Sequence, residues 1–336
     1  MFVGSAVASR FGSYWLTVPI IECIPNFSEG RNPAVIAQIC EAIRRANPRA
    51  LSILDVHSDP DHHRSVVTFA GEPAAVEAGA FAAIQTAARL IDMEAHSGVH
   101  PRIGAADVVP FVPIQGASMA DCVALAKRLG ERVGRELTIP VYLYKEAATR
   151  PDRYELPDIR RGGYETLRTV IESDPDRSPD YGPARLGKAG AVAIGARPAL
   201  IAYNVYLNTA EVKIAKAIAR AIRFSSGGLR YVQAAGFLVG GRAQVSMNLL
   251  DYTRTPLHRV QALIQSEAQR YGVQIASSEL IGLIPEAALI DTARWYLQLE
   301  HLTTSQVLES RLMAAGVNPF GSGNVNPPTR HDQDEP

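Results

Sequence analysis

Two rhythms of apolar residues alternate along this chain. Residues 18–24 form a short apolar run closed by Pro25 and predict a strand. Asn32 followed by Pro33 marks a helix start, and Val35, Ile36, Ile39, Cys40 and Ile43 then share one helical face. Residues 51–56 and 65–70, rich in Val, Ile and Phe, predict two further strands. Residues 73–90 predict a long alanine-rich helix and residues 108–112 a fourth strand. The order is β-α-β-β-α-β, the split arrangement of ferredoxin-like folds. A helix near residues 120–137 and a strand at 141–144 extend it.

The second half repeats the order. Residues 191–194 predict an extra strand at its head. Strands at 200–207, 229–238, 244–250 and 273–277 then alternate with helices at 210–222 and 256–271, and residues 286–299 close with a helix. Between the halves, residues 148–181 are rich in Arg, Asp, Pro and Gly and read as a linker region with one helix near 164–171. The fold class expected is α+β: two ferredoxin-like (βαββαβ) subdomains, each an α/β sandwich, with a ligand cleft or tunnel between them. The expected divisions are a loose extension over 1–17, subdomains over 18–180 and 181–303, and a C-terminal helix with a disordered tail over 304–336.

Composition narrows the classes. Of 336 residues, 47% are hydrophobic and 20% charged, as in ordinary globular proteins. Lys plus Arg and Asp plus Glu are 34 each, so the basic excess of a nucleic-acid binder is missing. Cys23, Cys40 and Cys122 include no C-x-x-C pair and read as reduced core residues of a cytoplasmic protein. No apolar run reaches the length of a membrane span, and residues 1–17 lack the pattern of a signal peptide.

The candidate chemistry lies in loops. Five of the eight histidines fall between positions 57 and 100. Gly98, Pro101 and Gly104 turn the stretch carrying His96, His100 and Arg102 into a loop after the alanine-rich helix. Asn26 and Ser28 follow the first strand, and His57, Asp59, Asp61, His62, His63 and Arg64 follow the second. Three readings stand side by side. His and Asp are metal ligands, yet no spacing such as H-E-x-x-H is present. One histidine, titrating near neutrality, would serve as general acid and base. Polar loop residues without chemistry are the third reading. Residues 182–190, rich in Gly and basic groups, read either as an anion-receiving loop or as a flexible linker. Arg197 and Asn204 frame the next two strands, and Glu279 is a lone acid at a strand end.

Several blocks in order give the chain its family likeness: Glu22 to Gly30 (ECIPNFSEG), Asp61 to Val66 (DHHRSV), His100 to Gly104 (HPRIG) with Asp107, Val141 to Tyr144, Gly195 to Arg197, Ala202 to Asn204, Gln244 to Leu249 and Gly282 to Pro285. From about Ile21 to Glu300 the sequence resembles the formiminotransferase domain family, also found as the first part of formimidoyltransferase-cyclodeaminase. The resemblance implies transfer of the formimidoyl group of N-formimidoyl-L-glutamate to N5 of tetrahydrofolate, in histidine breakdown. It implies two ferredoxin-like subdomains around a folate tunnel, with His100 as the catalytic histidine. Tetrahydrofolate is then a co-substrate, and no metal is expected. The folate-binding segment maps onto Gly182, Pro183, Ala184, Arg185, Leu186, Gly187, Lys188, Ala189 and Gly190. The substrate-binding set expected is Asn26, His57, Arg64, Arg102, Arg197 and Asn204, the arginines because a guanidinium fork matches a carboxylate. Val99 stands where the family commonly has Glu, and His57 and His63 replace Asp and Asn of the mammalian branch. The alternatives are a folate-dependent transferase acting on a related formyl donor, and a folate-binding protein with a weakened site. A homodimer is expected by resemblance. A separate cyclodeaminase is the expected pathway partner.

Overall fold

A computed structural model describes residues 18–98 and 101–317 of the chain. The first sheet begins with β1 (Ile20–Cys23) and β2 (Asn26–Phe27), one strand line interrupted at Ile24 and Pro25. Asn32 caps α1 (Pro33–Ala46) by accepting from the Ala34 amide at 3.1 Å, and the expected apolar stripe is the buried face. Then come β3 (Leu51–Asp59), β4 (Arg64–Gly71), α2 (Pro73–Leu90), β5 (Ala106–Gln115), α3 (Met119–Glu136) and β6 (Val141–Lys145). The expected linker folds into two short helices, α4 (Leu156–Ile159) and α5 (Gly163–Val170), before β7 (Val192–Ala196).

Strands β1 and β2 both lie between β4 and β5, with β3 outside β4, so the core of this sheet has the split β-α-β connectivity expected. The strand at 191–194, read as the head of the second half, is instead β7 of the first sheet. It runs parallel between β5 and β6. All five of its residues are buried, as suits an apolar strand covered on both faces. Gly195 is required there, because a Cβ would lie 2.4 Å from the Tyr144 carbonyl oxygen.

The second sheet uses β8 (Ile201–Leu207), α6 (Val212–Ile222), β9 (Val232–Val239), β10 (Arg242–Leu249), α7 (Leu257–Arg270) and β11 (Ile275–Ile281). Its order β11-β8-β10-β9, antiparallel throughout, is again the ferredoxin-like order. Helices α8 (Glu286–Leu297) and α9 (Leu308–Ala314) follow. The expected extension over 1–17 and the tail beyond residue 317 lie outside the described residues.

Each sheet buries one face under helices. Ile39, Ile43, Phe69, Ile84, Phe111, Leu125 and Leu129 pack α1, α2 and α3 on the first sheet. Val205, Leu207, Ile218, Ile222, Val245 and Ile264 pack α6 and α7 on the second. Each such side chain is worth about 1.5–3 kcal/mol of burial. The opposite faces look at one another across a cavity. A hydrogen bond from Gln233 on β9 to Glu155 at 2.9 Å ties the halves, while Lys145 pairs with the other oxygen of that carboxylate at 2.7 Å. Among the described residues no helix is long and apolar enough to cross a membrane.

Candidate active site

Strand alternation builds the cavity. Successive side chains point to opposite faces, so Glu22, Ile24 and Asn26 of the first strand line share the open face, as do Val66 and Thr68 of β4 and Val108 and Pro110 of β5. From the second sheet come Ala202 and Asn204 of β8 and Ser246 and Asn248 of β10. The enclosed volume is about 490 Å³, within the range of small-molecule sites.

The two walls differ in charge. Arg64, Arg160 and Arg197 line the first. Burial, with the neighbouring Arg160 cation, brings Arg64 down to about 9, against the opposing pull of Asp107 and Asp59. It stays a cation at neutral pH. Arg160 forms a buried ion pair with Asp107, whose other oxygen accepts from the Ile103 amide at 2.8 Å. Burial pushes the Glu22 carboxyl above its usual range, opposed by Arg197. The Arg197 guanidinium donates to the Pro198 carbonyl at 3.0 Å. Asn26 donates to the Ile24 carbonyl at 2.9 Å, while its Oδ1 is buried with no hydrogen-bond partner, an acceptor open to a ligand. Across the cavity, Asn204 and Tyr206 donate to one oxygen of Glu279 at 3.2 and 3.0 Å. Glu279 lies inside β11, not at a strand end as expected.

The polar stretch 57–64, expected as a loop, is largely a hairpin. His57 and Asp59 belong to β3 and Arg64 to β4, with His57 opposite Val66 and Asp59 opposite Arg64. The opposite charges of Asp59 and Arg64 favour that last pairing. His57, Asp59 and His62 all line the cavity. Asp59 accepts twice from His62, from its amide at 2.8 Å and from ring Nδ1 at 2.6 Å. Burial alone would raise the Asp59 carboxyl, but the His62 ring and backbone bonds outweigh it and hold it low. The edge of the His62 ring meets Phe237 of the second sheet at 5.8 Å between centroids.

His63 turns the other way, with φ at 51°, and stacks on His96 at 4.2 Å. Its Nδ1 faces the Ser97 carbonyl at 2.9 Å and its Nε2 faces Glu29 at 3.2 Å. Arg102 Nε donates to His96 Nδ1 at 2.9 Å, so the other His96 nitrogen carries the proton, directed at the His63 carbonyl. Arg102 also grips the His96 carbonyl and holds Glu165 in a two-pronged pair at 2.7 and 3.2 Å. Burial, then the charges of His63 and Arg102, lowers His96 below the ordinary imidazole range.

Of the expected substrate set, the structure brings Asn26, His57, Arg64, Arg197 and Asn204 together around the cavity. Arg102 is not among the lining residues; its guanidinium is engaged by His96 and Glu165. His100 and Val99 lie outside the described residues. None of residues 182–190 lines the cavity. Their loop runs beside residues 92–93 and 103–105: the Met93 amide donates to the Lys188 carbonyl, the Ala105 amide to the Ala189 carbonyl, the Ala191 amide to the Ile103 carbonyl, and Lys188 pairs with Asp92 at 3.1 Å. Glu22 and Arg160 were absent from the expected set, while Asp59 and His62 were among the candidate loop residues but outside the expected substrate set. Strand parity with Asn26 is the signal for Glu22, and nothing in the sequence brings Arg160 out of the apparent linker. Among the described residues no group of three or more His, Cys, Asp or Glu side chains could hold a metal ion.

Comparison with known proteins is consistent along the chain. Residues 20–197 match the model of the formiminotransferase domain, N-terminal subdomain, and residues 202–333 that of the formiminotransferase domain. The two matches meet where the chain passes from β7 to β8. A glutamate formimidoyltransferase of Thermoplasma acidophilum is 50% identical over 300 residues, covering 88% of this chain and 98% of that protein. One from Streptococcus pyogenes is 44% identical over 298 residues, covering 88% and 99%. The formimidoyltransferase-cyclodeaminase of Rattus norvegicus is 41% identical over 317 residues, and there the match spans 92% of this chain but 58% of the longer protein.

Proposed function

The chain belongs to the formiminotransferase family, and from that premise we propose that it moves the formimidoyl group of N-formimidoyl-L-glutamate onto N5 of tetrahydrofolate, its co-substrate. The observation that carries the proposal is the cavity of about 490 Å³ between the two sheets, with Arg64, Arg160 and Arg197 on one wall. The donor has two carboxylates, and guanidinium forks pair with carboxylates in water-poor surroundings. A flat pterin needs apolar contact together with hydrogen-bonding edges. Ile24, Val108 and Leu200 supply the contact, and Asn26, Asn204, Ser246 and Asn248 the edges.

His100 acts as general base on N5 in this reading. Arg64 and Arg197 hold carboxylates, while Asn26, His57 and Asn204 orient the reacting groups. Arg102 works at one remove, bracing the loop before and after residues 99–100 through His96 and Glu165. The 182–190 loop, with exposed Arg185 and Lys188, contacts the folate where it leaves the cavity.

The test is steady-state transfer from formimidoylglutamate to tetrahydrofolate by wild type and His100→Ala. Turnover in the wild type, reduced by roughly 10²–10⁴ in the variant with tetrahydrofolate binding kept, is the expected result. A wild type that turns over formylglutamate but not formimidoylglutamate would replace the donor.

A further inference from the structure

His62 has the geometry of an oriented acid–base group. Its ring lines the cavity, its side chain is 13% exposed, and its Nδ1 lies 2.6 Å from a carboxylate oxygen of Asp59. That bond places the Nδ1 proton on the Asp59 side and makes Nε2 the atom that exchanges a proton. A turn staple needs only one of the two bonds present: Asp59 Oδ1 accepting from the His62 amide at 2.8 Å already closes the turn. The second oxygen meets the ring. Phe237, reaching over from the second sheet, meets the ring nearly at right angles, so the imidazole is held from both sides of the cavity.

We infer that His62 is a second acid–base residue of the transfer, the one that protonates the departing glutamate nitrogen, with Asp59 as its positioning residue. This rests on the function proposed above. The reaction forms the bond from N5 to the formimidoyl carbon and breaks the bond from that carbon to the glutamate nitrogen. N5 loses one proton and the glutamate nitrogen gains one, with no net change in electrons. A single imidazole would have to face both nitrogens in turn. Two imidazoles let one receive the N5 proton while the other, already protonated at Nε2, delivers its own. The two then re-equilibrate through solvent. When His62 carries both protons, Asp59 supplies the opposing charge, as the carboxylate partner of a catalytic histidine does.

Among the described residues, the charged and titratable groups around the ring include Asp59 on β3, Arg64 on β4, and His63, His96, Arg102 and Asp107 around the small polar pocket behind it, with His57 and Arg160 lining the same cavity. The test therefore compares pH–rate profiles, not single rates. For His62→Gln the expected outcome is a kcat lower by about 10²-fold, KM for both substrates within a few-fold, and loss of the alkaline limb of the kcat profile. In His62→Ala, added imidazole should restore turnover in a concentration-dependent way, which a merely structural role would not allow. Asp59→Asn should lower kcat with the melting temperature of His62→Gln as its reference. Wild-type turnover with an unchanged pH profile in His62→Gln overturns this inference alone. So does an inactive His62→Ala that imidazole leaves inactive while its fold and tetrahydrofolate binding are intact. Absence of wild-type turnover overturns the proposed function and this role with it.

Discussion

The two sheets share one connectivity and carry opposite loads. The first places three arginines, two histidines and two carboxylates on its cavity face; the second places amides and a hydroxyl there. Burying charge is costly unless it is paired. The first wall meets that cost with a lattice of bonds: Arg160 on Asp107, Asp107 on the Ile103 amide, Asp59 on His62. On the second sheet, Glu279 pairs with Asn204 and Tyr206, where burial and the adjacent carboxylate push the Tyr206 hydroxyl up to about 12. The common topology thus sets where side chains meet, and the first sheet alone takes on the electrostatic work.

The largest test of that contrast is stability. Asp107→Ala strands a buried guanidinium and frees the Ile103 amide, so chemical denaturation should show a loss of about 3–5 kcal/mol. Glu279→Ala, its counterpart on the second wall, should cost about 1 kcal/mol, the worth of ordinary hydrogen bonds at a half-buried site. Equal losses would break the comparison. Ligand affinity comes next. Arg197→Ala should raise the KM for formimidoylglutamate by roughly 10–100-fold with kcat less affected, because a carboxylate contact is lost in ground and transition states alike. Asn248→Ala should change either KM by less than about tenfold, as one neutral hydrogen bond does. A larger effect at Asn248 than at Arg197 would put the recognition charge on the wrong wall.

Much of this was legible in the sequence, for reasons that can be named. The stripe Val35, Ile36, Ile39, Cys40 and Ile43 repeats at helical spacing, and it is the buried face of α1. Asn204 falls within the strand expected at 200–207 and lines the cavity, whereas Asn26, expected just after the first strand, lies instead in β2 and lines the same cavity. What stayed hidden came from tertiary placement. Arg160 lies in a stretch with no apolar rhythm, yet α4 carries it to the cavity. The 57–64 stretch is polar and looks like a loop; cross-strand pairing through Asp59 and Arg64 makes it a hairpin. Neighbouring His62 and His63 are indistinguishable in sequence. The left-handed backbone of His63 sends them apart, one to the cavity and one under Ser97. β7 reads as the start of a new domain because strand pairing partners leave no mark in a short apolar run.

The smallest effect concerns that hidden histidine stack. His96 is neutral in the fold, since burial and the charges of His63 and Arg102 hold its folded value below the ordinary 6.5. The sign follows from proton linkage. As pH falls below about 6.5, the unfolded chain takes up the proton first, so the unfolded state gains relative to the folded one. The stability owed to neutral His96 is therefore complete above the unfolded value and lost as pH falls through the folded value. His96→Gln removes this titration. Urea denaturation across that window should show a shallower acid-side decline for the variant, alongside a uniform loss of about 1 kcal/mol from the broken Arg102 bond. If the two pH curves run parallel instead, His96 is not the group that titrates there, and His63 becomes the remaining imidazole of the stack to be tested.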